Sequence, residues 1–274
     1  VYFSGSSVIS IHEGSLYSVL GGNVFTEGST QLELRGDTCF VIDEGSVTYS
    51  DSSVVSLISS CWNITGGNSL FQDFAQFSLS ENSLLYVSSG SFVASGSVTI
   101  DIQKSQVQIS GGNFQVNDQS NLNIRENSIV EVTEGNAIFA GSITARVIEN
   151  SEFLVNGGFV EFTEQSTLSW VDSSLEIRLG DMETKGSSLA SFETSKILVS
   201  GGGLRFLDSS EVSFAFSDIF VSLGSMNFHD HSRISVTDSS IRIEHGDMQF
   251  GGFSQVSFTR SPIYISGQLE FIDQ

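Results

Sequence analysis

The residues best suited to chemistry in this 274-residue chain are few and scattered. His229-Asp230-His231 sets two imidazoles around a carboxylate, with His245 further along. Two histidines at that spacing can begin a zinc site, but a closed site needs four ligands. The neighbouring sequence supplies no others at a suitable distance, so the expectation is no metal and no cofactor. Acids are plentiful, 32 against 11 bases, but they stand singly. Glu161 and Glu183 share a repeat position, and Arg205 follows them. Cleavage of a polysaccharide needs paired carboxylates in a walled groove. No nucleophile elbow, phosphate loop or Cys-x-x-Cys is present. The reading is therefore non-enzymatic, with no catalytic residues.

Composition narrows the classes further. A formal charge of −21 repels a phosphate backbone and gains nothing at an anionic bilayer, so neither nucleic acid nor membrane insertion is expected. At 39% hydrophobic and 11% aromatic, the chain can still bury a large core. No run approaches the roughly 18 apolar residues of a span, and the amino end lacks a signal-peptide pattern. A start at Val1 rather than Met suggests a processed chain or an excerpt of a longer one.

What positions all these residues is a repeat. An aromatic or its substitute recurs at Phe3, Phe25, Tyr49, Phe71, Ala94, Val116, Phe139, Phe162, Thr184, Phe206, Phe228, Phe250 and Phe271, at intervals of 21 to 24. A glycine usually precedes it by four residues, as at Gly45, Gly67, Gly202 and Gly224. Within a unit the hydrophobic period is two, clearest between Gly224 and His245. Met226 and Phe228, Ile234 and Val236, then Ile241 and Ile243 share one side, with Asn227, Ser235 and Arg242 on the other. That makes three short strands, led by Gly224, Ser232 and Ser239 and separated by polar corners. No helical stripe occurs. Strands so short are stable only if each unit is a coil whose strands pair in parallel with those of the next. Twelve coils at about 4.8 Å give a rod of roughly 58 Å.

On this pattern the chain, read as one domain over 1–274, resembles the pectin-lyase-like superfamily. The resemblance implies an all-β fold, a right-handed parallel β-helix of about 12 coils of about 22 residues. It covers nearly the whole chain, but that architecture hosts many functions and transfers no site residues.

The coil register sorts the outer surface. Cys39 and Cys61 share an outward slot one repeat apart, about 4.8 Å, so they are either a cross-coil disulfide or two exposed thiols. Asn63-Ile64-Thr65 is a candidate N-glycosylation sequence, with Asn63 outward. Leu84 and Tyr86 form a small outward patch. In the first strand the outward position reads Tyr2, Val24, Thr48, Leu70, Val93, Gln115, Ile138 and then turns polar, which marks an apolar strip for lateral contacts. The second strand carries an outward serine column, Ser169, Ser191, Ser213, Ser235 and Ser257. With strand positions at both ends and no atypical capping repeat, the expected role is a structural extracellular rod or filament segment of a cell-surface or secreted assembly, self-associating end to end and laterally or meeting neighbouring segments of the same polypeptide. Two alternatives stay open: an adhesin or glycan-binding passenger domain using the serine face, and a polysaccharide lyase or hydrolase.

Overall fold

Alternating hydrophobicity without helical periodicity has the expected outcome. In the computed structural model, which describes residues 1–12 and 14–272, there are 35 strands and no helix among the described residues. Every pairing is parallel and joins a strand to its counterpart one coil away. The chain is a β-solenoid of about 12 turns with three faces per turn, represented by Ser225–Phe228, Arg233–Thr237 and Ser240–Ile243. The second face forms a separate 12-stranded sheet. The first and third are joined because two long strands, Glu152–Phe162 and Ser174–Thr184, run around the corner between them. Pairing continues there through register shifts beside Asn156.

The interior is a set of like-on-like columns. Phe206, Phe228, Phe250 and Phe271 stack with ring centroids 5.2 Å apart. Where this column narrows to Ala94 and Val116, Phe92 and Phe114 fill the space from the adjacent inward column, their rings 5.1 Å apart. Around Thr184 the same compensation comes from the second face, where Trp170, Phe192 and Phe214 stack at 4.8 and 5.0 Å. Coil volume is thus conserved while its source moves between faces, as close packing demands.

Pairing corrects the repeat in one place. Tyr2 pairs with Phe25, and Thr26 with Tyr49, so Thr26 and not Phe25 occupies the inward column. A run of Val-Phe-Thr beginning at Val24 offers an aromatic one residue too early, and burial of Val24 over Val47 decides the register.

Each corner has its own chemistry. At the third, a Cβ built on Gly112, Gly224 or Gly246 would meet the preceding glycine's carbonyl oxygen at 2.7 Å or less, so the coils close only with glycine there. At the first, one residue per coil takes the left-handed conformation, filled by glycine or an acid: Gly28 (φ 80°), Asp51 (57°), Gly96 (98°), Asp118 (64°). Acids in this column accept from the backbone of the coil before, Gly96 N to Asp118 Oδ2 at 2.8 Å and Gly186 N to Asp208 Oδ2 at 2.9 Å. At the second corner, shorter coils have one left-handed residue, such as Lys104 or Asp172, and longer coils two, such as Glu126 and Asn127. The extra residue of a longer coil is therefore absorbed in a turn, leaving the strands in register.

Candidate functional site on the outward faces

The second corner also contains a buried serine column that spacing alone does not reveal as a hydrogen-bond ladder. Ser128 Oγ donates to Arg125 O at 2.6 Å, closing its own turn, and accepts Ser105 N at 3.2 Å from the coil before. Ser217 does the same for Ala215 O at 2.9 Å and Ser195 N at 3.1 Å. The signal available in sequence was a serine leading the third strand of nearly every coil; its meaning depends on a close coil-to-coil approach that only the folded register shows.

Of the surfaces left to act on other molecules, the first face divides in two. Its outward column reads Tyr2, Phe25, Thr48, Leu70, Val93, Gln115, Ile138. Val24 does not belong to it: it is only 8% exposed and faces the core, and Phe25, 43% exposed, takes its place. Tyr2 is 59% exposed; Leu70, Val93 and Ile138 are outward and half-buried by neighbouring strands. The expected strip is present with that substitution, and no residue in it is charged.

Beyond Ile138 the same column becomes a charge network. Lys185 Nζ lies 2.9 Å from Glu161 Oε1 and 2.7 Å from Glu183 Oε2, while Arg205 lies 2.8 Å from Glu183 and 3.3 Å from Asp181. Burial pushes the Glu183 carboxyl up, but hydrogen bonds from Lys185 and Arg205 outweigh it and hold it below the usual carboxylate range. The carboxylate contact holds Lys185 above the usual ammonium range. Such a network suits structural pairing; a general acid needs a carboxyl shifted the other way.

The second face carries the expected outward serines. Ser191, Ser213, Ser235 and Ser257 line an open trough of about 610 Å³ with Leu189 and Arg233. Arg233 pairs with Glu211 at 3.0 Å across its margin. Ser213, Ser235 and Ser257 are exposed, and their hydroxyls make no hydrogen bond among the described residues.

On the third face Cys39 and Cys61 pair in register and form a disulfide, with Cα atoms 4.5 Å apart. Asn63 follows two residues on, outward between Val41 and Tyr86. Leu84 and Tyr86 stand outward and half-buried beside them. His231 stacks toward Phe253 at 5.2 Å at the first corner. No group of three or more metal-ligating side chains gathers among the described residues.

Parallel coils stacked around an apolar interior define a β-solenoid repeat protein. The model of the discoidin-inducing complex B-subunit family matches residues 3–210, and the chain belongs to that family. No curated protein and no solved structure matches it. The likeness to the pectin-lyase-like superfamily is therefore one of architecture, a stack of parallel coils.

Proposed function

We propose that this chain is a structural, non-enzymatic subunit of an extracellular assembly, a β-solenoid rod segment that meets a second copy of itself along its first face. The observation that carries the reading is the uncharged outward column from Tyr2 to Ile138 on a chain of net charge −21. Like-charged rods repel along most of their surface, so two copies can approach where carboxylates are absent. Packed face to face, two such columns exclude water from Phe25, Leu70, Val93 and Ile138 and form an isologous contact. The family's description as part of a complex supports association. A disulfide supports an oxidising compartment. The ion-paired acids of the first face support a non-catalytic role.

The test is sedimentation velocity of the intact chain across concentrations. The wild type should self-associate, and Leu70→Lys with Val93→Lys should be monomeric with an unchanged β-sheet spectrum. Association that persists in the double variant removes the strip from the account.

A glycan-binding role is supported by one specific observation, the open trough on the second face lined by Ser213, Ser235 and Ser257, whose hydroxyls make no hydrogen bond among the described residues. Glycan arrays on the wild type and on Ser213→Val with Ser235→Val test it; binding that ignores both substitutions excludes that face.

A further inference from the structure

Asn63-Ile64-Thr65 is the chain's single Asn-x-Ser/Thr sequence, and lateral assembly makes no use of it. The strand Cys61–Ile64 alternates, so Trp62 and Ile64 are fully buried and Asn63 faces outward between them. The two amide atoms of Asn63 differ. Oδ1 is buried without a hydrogen-bond partner, whereas Nδ2 donates no hydrogen bond among the described residues and belongs to a half-buried, outward side chain. Nδ2 is the atom that carries a glycan. Two residues before it, Cys61 is held in a disulfide to Cys39, a bond that favours an oxidising compartment of the kind where N-linked transfer takes place.

We propose that Asn63 carries an N-linked glycan, and that this glycan closes the third face to lateral association while leaving the first face free. In the transfer, Nδ2 attacks C1 of the reducing-end sugar of a lipid-linked oligosaccharide. The Nδ2–C1 bond forms, the bond from C1 to the diphosphate oxygen breaks, Nδ2 gives one proton to a base of the transferase, and the polyprenyl diphosphate leaves. In the folded chain the Thr65 hydroxyl donates to Asp43 Oδ1 at 3.0 Å. The transferase needs that hydroxyl, so transfer precedes closure of this coil. The attached sugar overlies the outward side chains flanking Asn63, Val41 on one coil and Tyr86 on the next, with Leu84 beside them. The sequence offers no such attachment point on the first face.

The inference rests on the extracellular part of the proposed function and is read separately from the lateral contact. The full chain, carried into the secretory lumen of a eukaryotic host by an added leader, is recovered from lumen and medium and treated with peptide N-glycosidase in ¹⁸O water. Wild type and Thr65→Ser should lose glycan mass and leave ¹⁸O-labelled aspartate at position 63. Asn63→Gln and Thr65→Ala should lack the glycan. Lumenal wild type with its Cys39–Cys61 disulfide formed and Asn63 unmodified overturns the proposal. Sedimentation separates the two ideas. Full Asn63 occupancy with association that Leu70→Lys and Val93→Lys abolish supports both, whereas occupancy without any self-association refutes only the lateral contact.

Discussion

Two serine columns run along this rod, and they show how position decides what one residue type does. The corner serines, Ser105, Ser128, Ser195 and Ser217 among them, are buried, donate within their own turn and accept a backbone amide from the preceding coil. The second-face serines share the same 22-residue rhythm, but Ser213, Ser235 and Ser257 stand exposed with their hydroxyls free. An unmet amide in the interior is costly, while a surface hydroxyl exchanges its partner for water at little net change. The inner column therefore holds the coils together, and the outer column is available to a partner.

The sharpest way to break that contrast is at the neighbouring glycine corner, where interior space is tightest. Gly202→Val drives a Cβ into the Gly180 carbonyl oxygen and the Ile177 side chain. It should cost about 3 kcal/mol or more, seen as a lowered urea midpoint or a loss of the folded chain. Ser128→Ala leaves the Ser105 amide without its acceptor. It should destabilise by about 2 kcal/mol, measured by the same denaturation. A smaller effect comes from the charge network. The folded carboxyl of Glu183 sits below its unfolded value, so its contribution is present above the ordinary carboxylate range and is lost as pH falls through the folded value. Melting temperature should drop on acidification, and Glu183→Gln should flatten that part of the profile. Ser213→Ala should change stability by less than about 0.5 kcal/mol. A cost there equal to that of Ser128→Ala would abolish the distinction between the two columns.

Much of this was legible in the sequence because a solenoid repeats its physics. Period-two alternation, polar corners and near absence of proline require short parallel strands, and the register needed to align Cys39 with Cys61 follows from the same count. Val24 was misplaced because Phe25 is the stronger hydrophobic signal while Thr26 is the residue that fits inward over Tyr49. The serine ladder was hidden for a different reason. A small residue at a corner reads as a steric requirement, and its hydrogen bond across coils exists only once the coils are stacked. The alternation of glycine and aspartate at the first corner, Gly96 with Asp118 and Gly186 with Asp208, had the same ambiguity: a shared tolerance for left-handed backbone is visible in type, but the cross-coil bond is not. Outer columns are harder still, since nothing inside one chain dictates what meets them.

The first face is where that last question is most accessible. Sedimentation velocity on the intact chain and on Leu70→Lys with Val93→Lys measures it directly. The account predicts concentration-dependent association of the wild type and a monomeric, fully folded double variant. A wild type that stays monomeric at every concentration, or a variant that associates equally well, contradicts it.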